Sequence, residues 1–122
     1  MNLVESNIII YSALKEFAYL RELFKEENVF VSEISLLEVL GYSSITKEQE
    51  NYFNAVFSLV NKIPVSTEII FEAIRLRKND KLSVGDSIIA ASAIGLNLTL
   101  LTNNVSDFKK VKSLQIKNPI KQ

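Results

Sequence analysis

Four carboxylates spread widely along the chain, Glu5, Glu38, Asp86 and Asp107, are its clearest candidates for chemistry. Each stands near the end of a predicted strand or on a helix beside one. In a doubly wound α/β domain those places meet in the crevice at the carboxyl edge of the sheet, where such folds hold their ligands. Brought together, four carboxylates offer an all-oxygen site that suits a hard divalent cation, Mg²⁺ or Mn²⁺, rather than a soft metal. The chain contains no cysteine and no histidine. That removes disulfides, Cys/His zinc sites, thiol nucleophiles and imidazole bases, and leaves carboxylates as the only strong metal ligands.

Each carboxylate also has a purely structural explanation. Ser83 and Asp86 form a Ser-x-x-Asp capping pattern, in which the acid reaches back to the start of its helix. Glu38 follows Ser35 at the same spacing, but its neighbours are apolar, and a carboxylate buried among them needs a partner. Glu5 alone reads as a solvated strand-end acid, and Asp107 as a turn or first-turn acid favoured by the helix dipole. The set says more than its members. Only Asp80, Asp86 and Asp107 are aspartates, two of the three belong to the set, and one shared site is more economical than four coincidences.

The elements that must position these acids can be read from periodicity and caps. Asn2–Glu5 reads as a short strand, with a helix beginning near Ile8. Leu14, Phe17, Ala18, Leu20 and Phe24 follow helical spacing. Val29–Val31 is a brief buried strand, and Ser32 caps a helix carrying Glu38. Thr46 and Gln49 form a capping box for a helix bearing the stripe Tyr52, Phe53, Val56, Phe57 and Val60. That stripe reads as core first, and as a groove or a dimer face second. Residues 63–65 form a candidate strand, and Ser66 or Thr67 opens a helix that ends in the polar stretch 78–81. Ser83 opens another, whose Ala90, Ala91 and Ala93 permit close packing. Leu98–Leu101 is the most convincing buried strand, followed by a helical segment over 106–111 and an edge strand over 115–117. Strands alternating with helices predict a three-layer α/β/α sandwich on a mainly parallel sheet of four or five strands, formed by residues 1–122 as a single domain.

With 122 residues, 48% of them hydrophobic, the chain can bury a substantial core. Net charge is zero but unevenly spread. Residues 1–74 hold eleven acids against five bases, and residues 75–122 hold nine bases against three acids. Such asymmetry fits a polyanionic partner, and equally a solvated helix face with a lysine-rich tail. Arg75, Arg77, Lys78 and Lys81, just before Asp86, are the candidate contacts to a phosphate backbone, with Lys109, Lys110 and Lys112 on the other flank. The apolar run 8–10 is too short to span a bilayer and Glu5 sits where a signal peptide carries basic residues, so a cytoplasmic protein without a membrane partner is expected. A phosphoacceptor receiver domain is rejected, because no aspartate precedes Asp80 to end a middle strand.

The motifs resemble, in order and spacing, those of the PIN-domain family of metal-dependent ribonucleases, especially the VapC-like toxins of type II toxin–antitoxin pairs. Val4-Glu5-Ser6-Asn7-Ile8 resembles the family's opening segment, and Ser35-Leu36-Leu37-Glu38-Val39 its second motif, centred on a helix-borne glutamate. The segment from Asp86 to Ala93 is similar to the third, and that from Leu101 to Phe108 to the fourth. The resemblance implies endonucleolytic RNA hydrolysis that leaves a 5′-phosphate and a 3′-hydroxyl. Glu5, Glu38, Asp86 and Asp107 would serve as catalytic and Mg²⁺- or Mn²⁺-binding residues, supported by Ser6, Asn7, Thr102 and Asn104. It also implies a cognate antitoxin and a possible homodimer. One departure stands out: the first acidic position is ordinarily aspartate, and Glu5 extends the carboxylate by about one bond length, roughly 1.5 Å. That change makes a weakened or inactive RNA- or protein-binding module the alternative.

Overall fold

The computed structural model describes residues 1–121, and five parallel strands form its sheet in the order β3-β2-β1-β4-β5. The strands are β1 (Asn2–Val4), β2 (Val29–Ser32), β3 (Asn61–Ile63), β4 (Thr99–Leu101) and β5 (Ile116–Lys117). The helices are α1 (Ser6–Ser12), α2 (Glu33–Leu40), α3 (Lys47–Leu59), α4 (Thr67–Asp80), α5 (Val84–Gly95) and α6 (Val105–Phe108), with a 3₁₀ segment over Lys15–Lys25. The chain builds outward from β1 through β2 to β3, then crosses back to place β4 on the other side of β1. That reversal opens a crevice at the carboxyl ends of β1 and β4, the usual place for a ligand in such sheets.

Alternation along the central strands divides the core into two layers. Leu3 and Leu100 face a cluster built on α4 and α5, with Leu76, Ile89, Ala90 and Phe108. Val4 and Leu101 face the opposite cluster, with Ile8, Ile9, Leu20, Val39, Phe53 and Phe57. Phe53 and Phe57 are therefore core, as their spacing implied. Tyr52 is half-buried, with its hydroxyl on Ser12. Each large side chain fully buried this way contributes about 1.5–3 kcal/mol relative to an exposed one. The expected sandwich is thus formed, with every strand pair parallel.

Local chemistry starts most helices where the sequence indicates. Ser32, Ser66 and Ser83 accept backbone N–H groups at 3.1, 3.2 and 3.2 Å, and Thr46 and Gln49 complete a reciprocal capping box. Several boundaries differ from expectation. The third strand is Asn61–Ile63, not 63–65, because Pro64 has no N–H to continue a ladder, and an edge strand can leave Asn61 and Lys62 in water. The segment 15–25 keeps its apolar spacing but winds as 3₁₀ helix around a non-helical Phe17. The helix near Ile8 begins at Ser6. The helix expected over 106–111 is one turn ending at Phe108, followed by a turn. A helix that short is not stable alone; the fully buried Phe108 pins it, and with it Asp107. No helix among the described residues is long and apolar enough to cross a membrane.

Candidate metal centre

Glu5 follows β1, which stops at Val4 and not at Glu5 as expected, because Glu5 is the N-cap of α1. One carboxylate oxygen accepts the Asn7 N–H at 2.9 Å and the other accepts the Thr102 hydroxyl, also at 2.9 Å. Glu5 is only 6% exposed and Thr102, which follows β4, is fully buried. The pair therefore stands across the crevice between β1 and β4. Thr102 also accepts the Asn104 N–H at 2.9 Å, and the Asn104 side-chain amide donates to Asp107 at 3.1 Å. A run of hydrogen bonds, Glu5 to Thr102 to Asn104 to Asp107, thus ties the first acid to the fourth.

A second run fixes Glu38. Ser6 Oγ lies 2.8 Å from Ser35 Oγ and 2.6 Å from Glu38 Oε1. With a single proton, Ser6 donates to the charged carboxylate, the stronger bond, and accepts from Ser35. Glu38 is exposed on the crevice side of α2, contrary to the burial its apolar neighbours implied. On a helix, the neighbours in sequence are not the neighbours in space: Val39 goes into the core while Leu37 and Glu38 face out. The other Glu38 oxygen rests against the first turn of α5. A Cβ placed on Gly85 would meet it at 2.6 Å, so glycine leaves this carboxylate its place. Sequence reasoning passed over Gly85 and read Ser35 only by its capping spacing to Glu38 and as part of a motif. A glycine in the first turn of a helix, one residue before a candidate ligand, was the available signal.

Asp86 sits beside Gly85 in that same turn, its N–H on the Ser83 hydroxyl. Asp86 is thus a first-turn acid, but only the Ser83 half of the expected capping box is formed, and its carboxylate does not take the Ser83 N–H. Burial raises the Glu5 carboxyl above its ordinary range; the Asn7 and Thr102 hydrogen bonds oppose this, and the charges of Asp86 and Glu38 add to it. Burial likewise raises Asp86, moderated by Ser83 and reinforced by Asp107 and Glu38. Charge thus couples Glu5 to Asp86 and Glu38, and Asp86 to Glu38 and Asp107.

The predicted supporting residues are brought in unequally. Ser6, Thr102 and Asn104 hold acids directly. Asn7 contributes its backbone N–H, while the residue itself is exposed. The four predicted phosphate contacts are all exposed, but two are engaged. Arg75 pairs with Glu72 on its own helix, and Arg77 Nε donates to the Leu82 carbonyl at 3.1 Å, bracing the turn into α5. Lys81 holds that turn with a left-handed φ of 58°.

The fold and the placement of the acids define a class, and comparison with known proteins agrees: residues 3–114 match the PIN domain model, and the chain belongs to that family. It is 30% identical to Ribonuclease VapC2 of Rickettsia felis over 128 residues, covering 95% of this chain and 96% of the relative. Among solved structures, VapBC2 from Rickettsia felis bound to a promoter DNA fragment is 27% identical with a TM-score of 0.80, covering 96% of this chain and 97% of that one. A toxin–antitoxin complex from Klebsiella pneumoniae has the same identity and TM-score and covers both chains completely.

Two observations test whether these residues fit a divalent cation. The donors are all carboxylate and hydroxyl oxygens, as a hard ion requires, and Gly85 keeps clear the space that one Glu38 oxygen occupies. Among the described residues no three acids already close around one point. Glu38, Asp86 and Asp107 are at least partly exposed. Glu5 is held through both oxygens, Glu38 through one by Ser6, and Asp107 through one by Asn104, so Glu38 and Asp107 keep some freedom to meet an ion.

Proposed function

We propose that the chain is a Mg²⁺- or Mn²⁺-dependent endoribonuclease and the toxin of a toxin–antitoxin pair. The observation that supports this is a chain of charge couplings at the β1/β4 crevice, in which Asp86 and Glu38 act on the buried Glu5, and Asp107 and Glu38 act on Asp86. The full-length match to a ribonuclease and neighbours described as toxin–antitoxin complexes support it. In this reading Glu5, Glu38 and Asp86 hold the principal ion directly or through water, and Asp107 completes the site or holds a second. Such an ion supplies a water acidic enough to attack near neutral pH and neutralises charge developing on the phosphate. The chain's own residues orient the acids: Ser6 fixes Glu38, Thr102 and the Asn7 amide fix Glu5, and Asn104 fixes Asp107. Cleavage would leave a 5′-phosphate and a 3′-hydroxyl.

An apolar groove of about 310 Å³ adjoins the centre between α1, α2 and α3, with Ile10, Leu14 and Tyr42 exposed along it and Glu38 on its lining. We assign it to the antitoxin; an occupant presenting a basic side chain to Glu38 blocks the centre. Self-association, the other partnership expected, has an exposed apolar surface to use in Phe71 and Ile74 of α4.

A second reading, an attenuated binding module, has one observation in its favour. Both Glu5 oxygens are already engaged by Thr102 and Asn7, so the extra methylene serves a hydrogen-bonded cap as well as a ligand. The test is cleavage of single-stranded RNA by the native chain with Mn²⁺ or Mg²⁺, beside an Asp86→Asn control. Cleavage that needs the ion and disappears in the control supports the nuclease; RNA bound without turnover selects the module.

A further inference from the structure

The positive charge of residues 75–122 is not spread evenly over the surface. A cleft of about 300 Å³ separates the C-terminal half of α4 from the segment after α6, and Arg75, Lys110 and Lys112 line it together with Asn79, Ser113 and Asp80. Lys110 links it to the candidate centre, since its ammonium lies 3.7 Å from Asp107. Lys112 has no acidic partner within ion-pair distance among the described residues, whereas Arg75 shares its charge with Glu72 and Asp80. Joined by a three-residue turn and packed along their lengths, α4 and α5 run antiparallel, so the C-terminal end of α4 lies beside the turn that carries Asp86.

We infer that this cleft is the track for the RNA backbone on one side of the cut, with Lys110 and Lys112 as its phosphate contacts and Arg75 as a weaker third. The inference rests on the ribonuclease proposal and moves the principal contacts from Arg77, which is engaged by the Leu82 carbonyl, to the opposite wall. The chemistry recognised is a flexible row of phosphodiesters. Neighbouring hydrogen-bonding side chains, Asn79 and Ser113, suit sugar and phosphate oxygens. A single strand can bend from the crevice past Lys110 into the cleft.

The experiment measures binding of a short unstructured RNA to the full chain at several KCl concentrations, with divalent ions chelated so that metal-dependent cleavage is silent. Each phosphate contact on a single strand contributes about 0.7 to the slope of log affinity against log salt. Lys110→Ala with Lys112→Ala is expected to reduce that slope by about 1.4, and the corresponding arginine pair to restore it. The pair Lys25→Ala and Lys47→Ala, on the 3₁₀ segment and α3, removes the same charge elsewhere and should leave the slope nearly unchanged. An unaltered slope in the Lys110/Lys112 variant, or an equal fall in the control, overturns the track. Metal-dependent cleavage by the native chain is read separately, so the track can fail while the nuclease stands, and the reverse.

Discussion

Gly85→Ala separates the stability of this fold from the fitness of its acidic centre. The added methyl would lie 2.6 Å from a Glu38 oxygen, about 0.8 Å inside ordinary van der Waals contact. The obstacle is the end of a side chain, so the backbone need not move; the carboxylate gives way instead. Its retreat is restricted, because Ser6 holds the other oxygen at 2.6 Å and Ser35 holds Ser6. Metal–oxygen distances tolerate only about 0.2 Å. Misplacing one ligand by several times that margin is expected to weaken Mn²⁺ binding by about 10- to 100-fold, the range seen when ligand orientation is lost. Alanine is a better helix former than glycine by up to about 1 kcal/mol, so the metal-free variant should melt no lower than the native chain. The assay is a thermal melt with and without Mn²⁺, together with calorimetric titration of Mn²⁺. An alanine variant that binds Mn²⁺ as tightly as the native chain would show that Glu38 does not ligate from this position.

Three other outcomes are expected. Because burial holds the Glu5 and Asp86 carboxyls above their unfolded values, the folded state keeps those protons longer. The pair's contribution is thus most favourable below the ordinary carboxylate range and is lost as pH rises through the folded values. Without divalent ions, Asp86→Asn should therefore raise the melting temperature near neutral pH and change it little in acid; a lower melting temperature at neutral pH would refute the argument. Thr102→Val removes the hydroxyl shared by Glu5 and Asn104 and should lower the unfolding free energy by about 2 kcal/mol in a denaturant titration, a typical cost for a buried hydrogen bond to a charged group. Lys81→Gly relieves a left-handed residue at the end of α4 and is expected to stabilise the chain by about 1 kcal/mol, measured the same way.

Much of this protein was legible without coordinates, because its signals are local. Caps at Ser32, Thr46, Ser66 and Ser83 depend on one side chain and the next turn of backbone, and they start the helices that the sequence marks. Alternating strands and helices with short connections permit few topologies, so the parallel sheet followed, with Glu5 just after its first strand and Asp86 in the first turn of a crossover helix. What the sequence could not carry were relations between residues far apart. The room Gly85 leaves Glu38 and the Ser35–Ser6–Glu38 relay depend on how α1, α2 and α5 are set against one another. Residue type and spacing determine which groups are available and which elements bear them. Direction, reach and free charge are settled only when packed elements fix distances that a linear pattern does not contain.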